Sequence, residues 1–144
     1  NNHKYLFKPM DGYIPIIKAN KVRSKFFLGK SNEKIEFKSF SVSHGKIKSL
    51  GYVFNKTAYL SDCNDLSIVN FAFLRNLNYL ILDCLKYDKH PAHFNLDEAL
   101  YISDKLKPKK TILTNLHYDM DYDYLLKILP KNVIPGHDGL SINL

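Results

Sequence analysis

The sequence predicts a layered α/β domain, and three observations carry that expectation. Short β-type apolar runs alternate with helical stretches along the chain. Residues 79–114 read as strand, helix, strand, the pattern of a right-handed crossover between parallel neighbours. The chain has 144 residues, 45% hydrophobic and 24% charged, enough for one buried core, with no linker, repeat or low-complexity segment.

Taken in order, Tyr13–Ile17 and Lys25–Leu28 read as short strands separated by polar turns. Ile35–Lys38 alternates cleanly, and Phe40–Val42 continue extended as far as His44-Gly45. Gly51–Phe54 and Ala58–Leu60 form an expected hairpin around Asn55-Lys56-Thr57, and Tyr79–Leu82 is a continuous apolar run suited to a buried strand. Asn95 is a good N-cap for the clearest helix, with Glu98 three residues on as in a capping box. The inner stripe of that helix is expected to be Leu96, Ala99, Leu100 and Ser103, and Pro108 lies beyond its end. Lys110–Thr114 reads as the next strand, residues 121–129 as a second helix ended by Pro130, and Leu140–Leu144 as an edge strand.

Composition narrows the function classes. No stretch approaches the roughly 18 to 20 unbroken apolar residues that a membrane span requires. The first residues, Asn1-Asn2-His3-Lys4-Tyr5, show neither an initiating Met nor a signal-peptide pattern, so the chain is expected to be part of something longer. Cys63 and Cys84 fit no paired-thiolate zinc motif and are expected as reduced core thiols of a cytoplasmic protein. Net charge is +7, and residues 1–56 hold 12 Lys+Arg against 3 acids, whereas residues 57–144 hold 9 against 11. The basic residues are 19 Lys and 2 Arg. Arg is the residue that reads bases bidentately, so a plain solvated Lys-rich face is favoured first, help in attracting a phosphorylated substrate second, and a dedicated nucleic-acid surface last.

The polar residues fall in a telling place. His44, Asp62, Asp83 and His117 each end or closely follow an expected strand, where open α/β sheets put their ligand sites. Imidazole nitrogens with a carboxylate oxygen suit zinc, manganese or iron, and an ion there could activate a water at neutral pH. Plainer readings stand beside this one. A histidine at a strand end is often just hydrogen-bonded, Asp62 could close an Asx turn within Ser61–Asp65, and Asp83 could be a buried turn acceptor. There is no HExxH, Walker loop, GxSxG or paired CxxC.

A succession of short motifs goes further. Ser43-His44-Gly45, Gly51-Tyr52, Tyr59-Leu60-Ser61-Asp62 and Leu80-Ile81-Leu82-Asp83 occur in that order. They are followed by His90-Pro91-Ala92-His93-Phe94-Asn95-Leu96-Asp97-Glu98-Ala99, then Thr111–Asp121, then Asp138-Gly139-Leu140. From about Tyr5 to Leu144 this resembles the metallo-β-lactamase-fold hydrolases related to phosphoribosyl 1,2-cyclic phosphate phosphodiesterase. The resemblance implies the C-terminal half of an αββα sandwich, a partial domain over residues 1–144. It also implies metal-binding roles for His44 and His117, with Asp62 as the carboxylate bridging two ions. His93, in His-Pro-x-His-Phe, is implied to contact the phosphate or protonate the leaving oxygen, work that suits a group titrating near neutrality.

The chain departs from the family pattern at three points. Thr114-Asn115-Leu116-His117-Tyr118-Asp119 stands where many relatives read Thr-His-Leu-Ser-His-Asp. His137 stands where relatives often carry Tyr, which implies an exposed or pocket-lining residue. The first-half His-x-His-x-Asp-His run is missing; His3 is alone, and His90 with His93 lacks the pattern. The complete family site holds two divalent ions, zinc or manganese, whereas three ligands from one half hold at most one, weakly. The expected activity is therefore hydrolysis of small, cyclic phosphodiesters by a fragment inactive alone, completed by a separate N-terminal half or a second copy. The alternatives are a non-catalytic remnant of a split gene and a nucleic-acid module like the RNA-processing nucleases. A missing layer would also leave an apolar sheet face uncovered.

Overall fold

The structure, a computed structural model, describes residues 4–143 apart from 11, 13, 31 and 70. Seven strands form one sheet in chain order: β1 (Lys25–Leu28), β2 (Ile35–His44), β3 (Ile47–Phe54), β4 (Thr57–Leu60), β5 (Tyr79–Asp83), β6 (Lys110–Thr114) and β7 (Val133–Pro135). Strands β1 to β4 are antiparallel neighbours, and β4 to β7 are parallel. Among the described residues, no helix is long and apolar enough to cross a membrane.

Turn chemistry sets the antiparallel half. Gly45 at φ +58° opens the two-residue turn between His44 and Ile47. Asn55 and Lys56, at φ +43° and +57°, make the next one; two positive φ values match the right-handed twist of the strands they join. The parallel half needs crossovers, supplied by α1 (Leu96–Leu106) between β5 and β6 and α2 (Tyr122–Ile128) between β6 and β7. Helix α1 starts on the complete capping box: Asn95 Oδ1 accepts from Glu98 N–H (2.9 Å), and Glu98 returns a bond to Asn95 N–H (3.1 Å). Its buried positions are Leu96, Ala99, Ile102 and Ser103, with Leu100 only half-buried. The helix is rotated slightly from the expected stripe, and Ser103 shares a 2.6 Å hydrogen bond with Thr111 of β6.

Two expected strands are corrected. Ile14–Ile17 follow an irregular path with Ile14 and Ile16 87% and 80% exposed, while Tyr13 lies outside the described residues. Apolar residues with no neighbouring strand to receive their backbone groups do not make a strand, whatever their propensity. Residues 140–143 are likewise irregular, and Leu144 lies outside the described residues. The place beside β6 is taken by β7, with Val133 opposite Thr111 and Pro135 opposite Leu113. An edge strand tolerates that proline because no ladder partner needs its missing N–H. His3 also lies outside the described residues.

The two faces of the sheet differ. Val42, Ala58, Leu60, Leu80, Leu82 and Leu113 point to one side and form the main core with Leu74, Leu96, Ala99, Ile102 and Leu125. The alternate residues look the other way, where Phe26, Phe37, Tyr52, Phe54, Ile81 and Ile134 are half-buried and Tyr59 is exposed. Phe37 stacks between Phe26 (5.3 Å) and Phe54 (4.5 Å) on that second face.

Candidate metal centre

Strand polarity brings the site together. β2 and β4 run the same way, being separated by one antiparallel strand, and β5 and β6 are parallel to β4. Their C-terminal ends, at His44, Leu60, Asp83 and Thr114, therefore open at one edge of the sheet. The loop after β5 folds back over that edge. Phe94 N–H donates to Cys63 O (3.0 Å), Leu85 N–H to Phe94 O (2.9 Å), and Asn64 Nδ2 to Pro91 O (3.2 Å). Gly45 lets the hairpin tip approach that loop. A Cβ there would sit 3.2 Å from Ala92 Cβ and 3.3 Å from Pro91 O.

Three side chains converge. His44, Asp62 and His93 each offer a ligand atom, and those atoms lie within 4.8 Å of one another. His44 donates Nδ1–H to Ala92 O (2.8 Å). His93 donates Nδ1–H to Asp83 Oδ2 (2.8 Å). With both Nδ1 atoms engaged as donors, each ring in its neutral form keeps a bare Nε2 lone pair, which is what a metal ion takes. The rings meet edge to face, 4.7 Å between centres. Asp62 is exposed; Ser61 Oγ donates to its Oδ2 (3.1 Å), and Ser49 Oγ holds its backbone carbonyl.

Asp83 supports this group from below. It is fully buried, and its Oδ2 also accepts from Cys63 N–H (3.1 Å) while Oδ1 accepts from Asn115 Nδ2 (3.1 Å). Burial pushes its carboxyl above the ordinary range, and the bonds from Asn115, Cys63 and His93 pull the other way. Asn115 Nδ2 also stands 3.2 Å from His93 Nδ1. Two N–H groups cannot serve each other, so the imidazole proton goes to the nearer carboxylate and the amide serves Asp83.

His117 is not among the three converging residues. Its Nδ1 pairs with Asp119 Oδ1 (2.8 Å) and its backbone N–H donates to Leu85 O (2.8 Å). The residue that reaches the centre from the end of β6 is Asn115, at φ +64°. His137 is exposed and lines, with Ile81, Ile112 and Asn115, a cavity of about 440 Å³ on the second face of the sheet. Cys63 and Cys84 are fully buried; burial foremost, then nearby carboxylates, raises both thiols, Cys84 to about 12. From the sequence, Asp83 is expected at a strand end of the site or as a buried turn acceptor, and Asn115 and His90 carry no expected role. A buried carboxylate ending a strand beside a His-Pro-x-His segment was the available signal.

Imidazole and carboxylate atoms that converge at the strand ends of a mixed sheet make this α/β protein one with a candidate metal site. The chain belongs to the beta-lactamase superfamily: residues 5–118 match its Beta-lactamase superfamily domain. Solved structures agree with the expected metallo-β-lactamase fold. A diphosphatase of the PhnP family superposes with TM-score 0.75 at 31% identity, over 87% of this chain and 48% of its own. Human tRNase Z, short form, gives 0.60 at 20% identity, over 83% and 47%. A metallo-beta-lactamase fold protein from Bacillus subtilis gives 0.65 at 18%, over 83% and 53%. An octanoyltransferase from Porphyromonas gingivalis is 28% identical over 102 residues, 69% of this chain and 21% of that protein. The chain thus spans about half the length of these solved structures and a fifth of that curated relative.

Proposed function

We propose that this chain supplies half of a metal-dependent phosphodiester hydrolase site, in which His44, Asp62 and His93 hold one divalent ion, zinc or manganese. The observation that carries the reading is the convergence of those three ligand atoms within 4.8 Å. The donor set fits such an ion, because two borderline imidazoles whose Nδ1 atoms are hydrogen-bonded and one hard carboxylate oxygen are the mixed N and O ligands that zinc and manganese take. When bound, the ion would polarise a phosphoryl oxygen and lower the pKa of a coordinated water. Asp83 fixes the tautomer and plane of His93, and Ala92 O does the same for His44. His93, implied from sequence to act on the leaving oxygen, is here read as a ligand because it faces His44 and Asp62. His117, paired with Asp119, is read as standing outside the set.

Small phosphodiesters are the proposed substrates. The name of the PhnP-family diphosphatase and the net charge of +7 both favour a phosphorylated compound. Three protein ligands leave the second ion of the family site without a holder, so full activity is read as requiring ligands from another segment or polypeptide. The test is zinc stoichiometry by mass spectrometry of metals on the purified chain, followed by turnover of bis(p-nitrophenyl) phosphate. One equivalent of zinc is expected, lost in His44→Ala and Asp62→Ala, with little turnover until a polypeptide carrying the His-x-His-x-Asp-His run is added. Zinc binding that is absent, or undiminished in both variants, refutes the metal reading. Zinc without turnover even then favours a non-catalytic remnant.

A further inference from the structure

A third imidazole stands beside the candidate centre with the opposite polarity. His90 is half-buried, and its ring lies 5.1 Å from that of His93, tilted by 40°. Its Nδ1 accepts a hydrogen bond from Ala92 N–H (3.3 Å), closing a short turn across Pro91. A neutral imidazole that accepts at Nδ1 must carry its proton on Nε2. His44 and His93 have the reverse arrangement, since each spends its Nδ1–H on an oxygen. Three clustered histidines therefore present two bare nitrogens and one N–H. The backbone that sets His90 is also held firmly. Pro91 O accepts from Asn64, Ala92 O accepts from His44, and proline itself fixes φ within the turn.

We propose that His90 binds substrate, its Nε2–H donating to a non-bridging oxygen of a phosphodiester seated beside the His44–Asp62–His93 ion. This rests on the metal reading above and deepens it. Its Nε2–H makes His90 a poor ligand for the ion and a suitable donor to an anionic oxygen. A donor held in place before substrate arrives needs no reorganisation to meet it. His44 and His93 take the ion and His90 takes the oxygen, so the turn His90-Pro91-Ala92-His93 would serve both tasks from its two ends.

Two measurements on the full chain test this. Long-range proton–nitrogen NMR of the metal-free protein, above the titration range of its imidazoles, reads each tautomer directly. His90 is expected as Nε2–H, and His44 and His93 as Nδ1–H; an Nδ1–H tautomer at His90 overturns the proposal. The zinc-loaded protein is then titrated with dimethyl phosphate, a diester inert enough to report binding alone. His90→Ala is expected to weaken diester binding about tenfold, the size of one hydrogen bond to a charged acceptor. Zinc stoichiometry should stay unchanged, and His90→Gln, which restores an N–H near the same point, should recover most of the affinity. Loss of zinc in His90→Ala would make His90 a ligand and sink the proposal. So would unchanged diester affinity with zinc in place, which leaves the metal reading standing. Failure of the unmodified chain to take up zinc brings down the metal reading, and this proposal with it.

Discussion

Replacing Asp83 by asparagine separates what the carboxylate does for the fold from what it does for His93. The wild-type carboxylate accepts three bonds, from Cys63 N–H, His93 Nδ1–H and Asn115 Nδ2. An amide oxygen in the Oδ2 position keeps the first two. Its NH₂ then faces the Asn115 NH₂, a clash that Asn115 relieves by turning its amide over. The His93 bond falls from charge-assisted to neutral, a loss of about 1 kcal/mol, and removing a buried charge returns part of that. Asp83→Asn should therefore lower stability by about 0–2 kcal/mol in urea unfolding followed by far-UV circular dichroism. Zinc affinity should drop more, about 10- to 100-fold or about 1.4 to 2.8 kcal/mol, the usual effect of losing the partner that orients and polarises a ligating histidine. Asp83→Ala, which strands all three donors, should instead lose about 3–5 kcal/mol of stability. The raised carboxyl gives a pH signature. A group whose native pKa exceeds its unfolded one stabilises fully below the unfolded value, near 3.8, and that contribution is lost as pH climbs through the native value. The asparagine variant should lack this slope. Chelator-competition titrations that return wild-type zinc affinity for Asp83→Asn would refute the proposed link from Asp83 to the ion.

Gly45→Ala should destabilise by about 1–2 kcal/mol, because Cβ is disfavoured at positive φ and would press on the Ala92–Pro91 backbone; urea titration reads the stability, and parallel zinc titration should show weakening as that loop shifts. His117→Ala should leave zinc affinity within about twofold, since that ring is engaged with Asp119; a larger change by chelator competition would return His117 to the ligand set. Cys63 and Cys84 should resist iodoacetamide at pH 8 in the native state and react on unfolding, both being fully buried with raised thiols; a mass shift of the folded protein would contradict their placement.

What the sequence made legible follows the strength of local signals. The Asn95/Glu98 box and the Asn55-Lys56 turn place α1 and the β3–β4 hairpin because each carries its own short-range chemistry. Ile14–Ile17 and Leu140–Leu144 looked like strands by composition, but strand identity depends on a neighbour that composition does not specify. β7 went unnoticed for the converse reason: Val133-Ile134-Pro135 is short and ends in proline, yet β6 is there to pair with it. The strand-end rule pointed to His44, Asp62, Asp83 and His117; the first two converge with His93, Asp83 hydrogen-bonds His93, and His117 pairs with Asp119 instead. His93 sits in a loop, and only the family resemblance pointed to it. His117 and Asn115 differ by two positions; Asn115, at φ +64°, hydrogen-bonds Asp83 while His117 pairs with Asp119, a difference invisible in the string of letters.

The second, only partly covered sheet face bears on the same question as the three-residue ligand set. Parallel sheets are normally covered on both sides, and the parallel strands here are apolar on both: Leu80, Leu82 and Leu113 face the helices, while Ile81, Ile112 and Ile134 face away from them. The antiparallel strands continue that second surface with Phe26, Phe37, Tyr52 and Phe54. A second layer of apolar residues laid there would bury them. It would also end at the strand edge where His44, Asp62 and His93 offer their ligand atoms. One added layer thus meets both needs. On the proposed half-site reading, that coincidence favours a complementary half over a second copy of this chain, since two molecules of net charge +7 would repel as they closed.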